Sequence, residues 1–318
     1  MGTSFVMSNG VMRIVSLLSS ATEIACALGL EDQLVGISHE CDYPRSITHL
    51  PKVSEAELDP SRPSQEIDRD VIRMVRDGLS IYRVLTDVLE TLKPDLILTQ
   101  DQCDVCAVTL KDVEKAVCHL THQPTEIISL RPYVLDDLPK TFHQIGKATG
   151  KEAQAEALHT EFWIRLNQIN ARAGTKLNYP KVLLLEWLDP PYVAGGWMPQ
   201  LAVLAGGAPL VVSEPEKFQK LEWDEVEKIP ADKILILPCG FTMERTLQDL
   251  EDDTLSRRLK SLAAYKTGQI YICDGNQFFN RPGPRLTESC EIMAAIFHPE
   301  QFPELVKKHS MTNYISWN

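Results

Sequence analysis

The sequence predicts an α/β fold with two lobes, residues 1–135 and 174–318, joined by a helical connector, residues 136–173. In both outer parts, short strand-like runs alternate with helix-like stretches, which is typical of parallel sheets covered by helices. Between them, apolar residues recur at helical spacing, and these are Leu135, Leu138, Phe142, Ile145, Leu158, Phe162, Leu166 and Ile169. The change of period therefore marks the connector.

The first lobe begins with a buried strand over residues 13–18. Ser20, with Glu23 three residues later, has the spacing of a capping box and predicts the start of a helix. Gly29 supplies the end of that helix. A second strand over residues 34–38 follows at a distance that suits a right-handed βαβ unit.

The remaining elements follow from proline, glycine and apolar spacing. Residues 51–63 read as a loop rich in proline and acids, followed by helices over residues 67–76 and 81–92 and a strand over residues 95–99. In the connector we predict two successive helices with a bend at Gly150 and an end near Gly174. Alternation of strands and helices resumes at Lys181.

The composition excludes several classes of partner. The chain has 318 residues, of which 44% are hydrophobic and 24% charged, and its net charge is −12. An acidic protein is poorly suited to nucleic acid or to anionic lipid, so we expect neither as a partner. No run approaches the roughly 18 apolar residues of a membrane span, so we expect no membrane insertion.

Cysteine usage and the first residues bear on location. The first 20 residues lack the pattern of a signal peptide, and eight cysteines without disulfide-scaffold density fit a reducing compartment. We therefore expect a cytoplasmic protein, or a periplasmic one if an export signal is missing from this sequence.

Cysteines and aromatic residues concentrate in the loops that follow the predicted strands. Ligands bind at the carboxyl ends of the strands in open α/β sheets, so these loops predict a binding site. The residues concerned are His39, Cys41, Tyr43, Cys103, Cys106, Trp187, Trp197, Cys239 and Phe279.

The cysteines allow three interpretations. Cys103 and Cys106 form a C-x-x-C pair, and with His39 and Cys41 they make a set of four ligands suited to zinc or iron. The same pair could instead work as a disulfide switch. The alternative is that the thiols are small buried packing residues. Three thiols in one predicted crevice favour a functional role.

Catalytic signatures are missing from the sequence. It contains no nucleophile elbow, no phosphate-binding glycine loop and no HExxH motif. Glu40, Glu186 and Asp189 are the carboxylates nearest the predicted crevice. A binding protein is therefore favoured over an enzyme, and no catalytic residue is assigned.

The order of several motifs resembles a known family. The chain is similar to the helical-backbone (class III) ABC-type substrate-binding proteins, in the cobalamin-binding branch, and more distantly to the iron–siderophore and haem binders. The similarity extends from Arg13 to Pro299 and rests on IVSLLSSATEIACALGLEDQLVGISHECDYP, LKPDLIL, the AGG at 205–207 and GQIYICDGNQFFNRPGPRLTESCEIMAAIFHPE.

The resemblance implies two Rossmann-like lobes, a rigid helix that joins them and a ligand cleft between them. A corrin ring is large, flat and mostly apolar with amides at its edge, so it needs aromatic walls and a few donors. The ligand-binding residues that the resemblance implies are Ser19, Ser20, Tyr43, Gln100, Glu186, Trp187, Trp197, Phe241, Asn276, Phe279 and Arg281.

Three hypotheses follow. The first and favoured one is a cytosolic protein that stores, senses or passes on a corrinoid or a related metal chelate. The second is a metalloprotein or redox protein that uses the Cys/His set. The third is the binding component of an ABC importer, which has a permease as its partner only if the chain is exported.

Overall fold

The computed structural model describes residues 11–77, 79–100, 110–118, 124–174, 179–212 and 219–317. These residues fall into two compact units. The first unit comprises Met1–Leu58, Met74–Arg131 and His143–Ala155, and the second comprises Asp59–Arg73, Pro132–Phe142 and Glu156–Asn318. The chain passes from one unit to the other after Leu58 and after Arg131, and also within three helices. These helices are α2, Ser64–Arg76, α5, Leu138–Thr149, and α6, Glu152–Ala173.

The first unit contains a parallel sheet and a short antiparallel ribbon. Its strands are β1, Ile14–Ser16, β2, Leu34–Ile37, β3, Ser54–Ala56, β4, Tyr82–Val84, β5, Leu96–Gln100, and β6, Glu126–Leu130. Its other helices are α1, Ser19–Ala27, α3, Thr86–Leu92, and α4, Leu110–Val117, with 3-10 turns at Glu31–Gln33 and Arg45–Ile47. The sheet order is β2-β1-β5-β6, with every pair parallel, whereas β3 and β4 pair with each other in antiparallel register.

Apolar strand residues form the core of this unit. Val15, Leu17 and Ile97 pack with Leu89 of α3 and Val113 of α4, and all five side chains are fully buried. This core fixes the carboxyl ends of β1, β2 and β5 at one edge of the sheet.

The second unit contains a mixed sheet. Its strands are β7, Lys181–Leu188, β8, Pro191–Val193, β9, Ala208–Pro209, β10, Gln219–Lys220, β11, Lys233–Ile236, β12, Ile270–Cys273, and β13, Tyr314–Ser316. Its helices are α7, Met198–Leu204, α8, Trp223–Val226, α9, Met243–Asp249, α10, Asp253–Ser261, α11, Ala263–Lys266, α12, Leu286–Phe297, and α13, Pro303–His309, with a 3-10 turn at Leu135–Asp137.

The order of this sheet is β10-β8-β7-β11-β12-β13, and β9 pairs with β7. The strands β7, β11 and β12 are mutually parallel, and antiparallel strands border them on both sides. The predicted α/β class is confirmed, and the antiparallel edges are an addition that the strand pattern did not indicate.

Glycine ends the two long helices where the sequence predicted. Gly150 lies between α5 and α6 with φ +67°, and Gly174 follows α6 with φ +72°. Such left-handed backbone is open to glycine at little cost, so the bend and the stop are both confirmed. The boundaries of the connector at residues 136 and 173 stay a prediction.

Three local predictions were wrong. Residues 54–56, predicted to lie in a loop, form strand β3, because they pair with β4. Residues 82–84 form strand β4 instead of a helical turn, because Arg83 lies opposite Glu55 in β3 and forms an ion pair with it. Helix α1 begins at Ser19, and its N-cap is Leu18, which has no capping side chain. Ser20 and Glu23 lie inside the helix and are buried, so they do not form a capping box.

Among the described residues, no helix combines the length and the apolar character that crossing a bilayer requires.

Candidate functional site

Aromatic side chains meet at the carboxyl ends of the parallel strands in the second unit. The rings of Trp187, in β7, and Phe241, after β11, lie 4.9 Å apart between centroids at an angle of 51°. The guanidinium of Arg245 lies 4.3 Å from the Phe241 centroid, which is cation–π distance. Arg245 is fixed by Asp249, 2.6 Å away, and by the carbonyl oxygen of Arg62.

Hydrogen bonds connect this aromatic pair to the loop after β12. The backbone N–H of Asn276 donates to the carbonyl oxygen of Phe241 at 2.9 Å. Arg281 Nη2 then donates to Asn276 Oδ1 at 2.9 Å. Four residues predicted from the sequence, Trp187, Phe241, Asn276 and Arg281, therefore form one connected group.

Trp197 and Phe279 form a second, more deeply buried pair. Trp197 Nε1 donates to the carbonyl oxygen of Phe279 at 2.7 Å, and the Phe279 N–H donates to Ser289 Oγ at 2.9 Å. Phe279 is fully buried and adopts φ +65°. These contacts favour a supporting role for the pair, which shapes the loop after β12.

Carboxylates surround the β7–β8 turn. Tyr192 Oη donates to Asp68 Oδ1 at 3.3 Å. Burial raises the pKa of Asp68, and nearby Lys220 opposes that change. Burial, followed by the negative charge of Asp252, also raises the pKa of Asp189. Both shifts arise first from burial, which disfavours the ionised form of each carboxylate.

Glu186 and Trp187 lie at the end of β7. The carbonyl oxygen of Glu186 accepts a hydrogen bond from the backbone N–H of Cys239, which joins the loops after β7 and β11. The indole Nε1 of Trp187 is buried and has no hydrogen-bond partner within the described part of the chain.

The strand ends of the first unit hold the other predicted residues. Ser19 Oγ donates to the carbonyl oxygen of Glu40 at 3.1 Å, which joins the loops after β1 and β2. Ser20 and Gln100 are buried, with 3% and 4% exposure, whereas Tyr43 is 41% exposed. Tyr43 is therefore the residue of this set that is most open to a ligand.

The predicted Cys/His set is described only in part. Cys41 is 1% exposed, and its Sγ lies 3.1 Å from Thr22 Oγ1. His39 Nδ1 lies 3.0 Å from Ser54 Oγ. Cys103 and Cys106 lie outside the described residues, so the four-ligand site stays a prediction.

Sequence reasoning missed several residues that position the site. Arg245 approaches Phe241, and Lys52 Nζ donates to the carbonyl oxygen of Cys41 at 2.8 Å. The sequence did hold a clue to Arg245. Thr242, which follows Phe241, is the N-cap of α9, and Arg245 lies in the first turn of that helix. No comparable signal existed for Ser54 and Lys52. Their contacts depend on the bridge between Lys52, which lies just before β3, and Ile37 of β2.

Comparisons with known proteins place this chain among its relatives. The family model described as "Periplasmic binding protein" matches residues 14–276. The chain belongs to the periplasmic binding protein family. Among sequence relatives, it is 22% identical to a "Vitamin B12-binding protein" of Vibrio parahaemolyticus, with 91% of this chain and 92% of the relative covered. It is 24% identical to an uncharacterized ABC transporter substrate-binding lipoprotein, YvrC, of Bacillus subtilis, with 92% and 82% covered.

Solved structures support the fold. A periplasmic heme binding protein from Pseudomonas aeruginosa matches with a TM-score of 0.68 at 19% identity, over 91% of this chain and 93% of that chain. The periplasmic vitamin B12 binding protein BtuF of Vibrio cholerae matches with a TM-score of 0.66 at 18% identity, over 91% and 97%. The predicted cytoplasmic location finds no support among these relatives, which are named as a lipoprotein or as periplasmic proteins.

Proposed function

We propose that this chain is a substrate-binding protein of the ABC transporter type whose ligand is a corrinoid. The observation that carries the proposal is the connected group of Trp187, Phe241, Asn276 and Arg281 at the strand ends of the second unit. Aromatic surface beside a few fixed polar groups suits an apolar ring edged with amides.

Net charge favours a corrinoid over haem. Haem carries propionate groups, whereas the side chains around a corrin are largely neutral amides. The chain has a net charge of −12, which disfavours an anionic ligand. Sequence relatives over nearly the whole chain are named as vitamin B12-binding proteins, which supports the same choice.

The ligand-binding residues predicted from the sequence belong to this proposal. They are Ser19, Ser20, Tyr43, Gln100, Glu186, Trp187, Trp197, Phe241, Asn276, Phe279 and Arg281. An ABC permease is the proposed partner. The zinc or iron site at His39, Cys41, Cys103 and Cys106 is a second prediction, which rests on the C-x-x-C spacing and is tested by metal analysis of protein purified without chelator.

Titration with cyanocobalamin tests the proposal directly. We expect calorimetry to give a dissociation constant of about 1 μM or below, on the order of −8 kcal/mol. Haem should bind at least about tenfold more weakly, a difference of roughly 1.4 kcal/mol. If cyanocobalamin produced no heat at several temperatures and no change in tryptophan fluorescence, the corrinoid proposal would be wrong.

Two matched tryptophan variants locate the binding surface. Replacing Trp187 with phenylalanine should weaken cyanocobalamin binding about tenfold, because it shrinks the aromatic surface beside Phe241. The control is Trp317→Phe, at a tryptophan that packs against Tyr265 in the same unit. Equal affinities of the two variants would remove Trp187 from the site.

A further inference from the structure

The first unit contains a pocket that none of the predicted ligand and metal residues lines. It has a volume of about 510 Å³, and its lining comes mainly from β4, from the residues on either side of that strand and from α4. Pockets of this size hold small organic molecules. Every lining residue belongs to the first unit, so the pocket is complete within it.

Part of the lining is apolar. The side chains concerned are Met74, Leu79, Val84 and Ala116. Leu79 is 59% exposed, which leaves apolar surface open to a ligand. The backbone N–H of Leu79 donates to the carbonyl oxygen of Met74 at 2.8 Å, and this bond holds the two residues together after α2.

Most of the charged residues in the pocket already have a partner. Arg83 Nε lies 3.2 Å from Glu57 Oε1. Ser80 Oγ donates to Asp112 Oδ2 at 2.9 Å. Lys115 differs, because it is exposed in the last turn of α4 and no described residue forms a hydrogen bond or an ion pair with its Nζ.

Lys115 therefore determines which charge the pocket favours. The carboxylates of Glu57 and Asp112 are engaged, so a cationic ligand would have to compete with their partners. The ammonium group of Lys115 can meet an anion without breaking a contact. A cation beside apolar surface matches a molecule that joins an anionic group to an apolar body.

We propose that this pocket binds an amphipathic organic anion, a small apolar molecule with a single carboxylate or sulfonate group. The apolar body lies against Leu79, Val84 and Ala116, and the anionic group lies at Lys115 Nζ. The proposal is independent of the corrinoid, because it uses no residue of that site. The net charge of −12 opposes any anion, so we expect a dissociation constant of only about 10–100 μM.

Two fluorescent probes separate the apolar contact from the ionic one. 8-Anilinonaphthalene-1-sulfonate carries one negative charge, whereas N-phenyl-1-naphthylamine is the same molecule without the sulfonate. We expect both to bind the folded chain at one saturable site, and the sulfonate to bind about fivefold more tightly. Decanoate, an apolar carboxylate, should displace the sulfonate probe, and cyanocobalamin should not.

Lys115→Gln tests the ionic contact. It should weaken binding of the sulfonate probe about fivefold and leave N-phenyl-1-naphthylamine unchanged. Lys111→Gln is the matched control, at an exposed lysine one turn earlier in α4 that does not line the pocket. If Lys115 served only to complement the dipole of α4, its replacement would alter thermal stability and neither affinity, which would contradict the proposal.

Leu79→Gln tests the apolar contact at a largely exposed position, where the fold should tolerate the change. It should weaken both probes about fivefold. The proposal would be overturned if neither probe bound, if Lys111→Gln weakened the sulfonate probe as much as Lys115→Gln, or if Leu79→Gln left both affinities unchanged. Displacement of the sulfonate probe by cyanocobalamin would place the probe at the corrinoid site and overturn the separate pocket.

Discussion

Replacing Gly275 with alanine is expected to destabilise the second unit by about 3 kcal/mol or more. A Cβ atom at this position would lie 2.1 Å from the carbonyl oxygen of Pro238 and 2.8 Å from the carbonyl carbon of Leu237. Both are backbone atoms at the end of β11, which cannot rotate away as a side chain would. The ends of β11 and β12 would have to separate, and these ends carry Phe241 and Asn276.

Gly240→Ala is the control for this prediction. Gly240 lies in the neighbouring loop at φ +76°, and a Cβ there would meet no atom within 4 Å. It should therefore cost only the strain of a left-handed residue, roughly 1–2 kcal/mol. Urea denaturation followed by circular dichroism measures both variants. A Gly275→Ala protein as stable as Gly240→Ala would contradict the close approach of the two strand ends.

The buried strands and long helices were predictable because their signals are local. Apolar runs such as residues 96–98 and 234–236 are buried on both faces, and they read as strands without any knowledge of their neighbours. Gly150 and Gly174 end helices through their own backbone freedom. Elements of this kind carry their structural preference within a few residues.

The edge strands were not predictable, because they form through pairing with distant parts of the chain. β10 consists of Gln219 and Lys220, both exposed, and it forms only because these residues pair with β8. β3 is likewise defined by its pairing with β4. Such pairings depend on tertiary packing, which local propensity does not encode.

In the candidate site too, residues with a local sequence signal were predictable and residues placed by distant contacts were not. The rule that ligands bind at strand ends pointed to Trp187, because this rule needs only the position of each strand. The family resemblance pointed to Phe241, Asn276 and Arg281. Neither located Ser54, the neighbour of His39. Ser54 reaches β2 because Lys52 forms a parallel bridge with Ile37, a contact between distant parts of the sequence.

Glu291 joins three elements of the second unit. Its carboxylate accepts hydrogen bonds from Arg165 of α6 at 2.9 Å, from Lys308 at 2.6 Å and from His309 at 3.0 Å. Glu291 itself lies in α12, and His309 is 1% exposed. Burial alone would raise the pKa of Glu291, but the hydrogen bonds from His309, Lys308 and Arg165 outweigh it and lower the pKa to about 2.

Acid should therefore remove the stability that this carboxylate contributes. The pKa is about 4.5 in the unfolded chain and about 2 in the folded chain, so the contribution is complete above pH 4.5 and declines as the pH falls toward 2. Glu291→Gln should cost about 2–3 kcal/mol at pH 7, because three donors lose a charged acceptor. The free energies of unfolding of the variant and wild type should converge as the pH approaches 2.

The control is Glu304→Gln, at an exposed carboxylate whose partner Arg172 is also largely exposed. This change should leave stability nearly unaltered at pH 7, because solvent screens the pair. Guanidinium chloride unfolding of the three proteins between pH 2 and pH 7 gives the comparison. A Glu291→Gln deficit that stayed constant over this range would show that Glu291 acts by packing. A deficit that shrinks between pH 4.5 and pH 2 identifies its ionised carboxylate as the group that holds α6, α12 and α13 together.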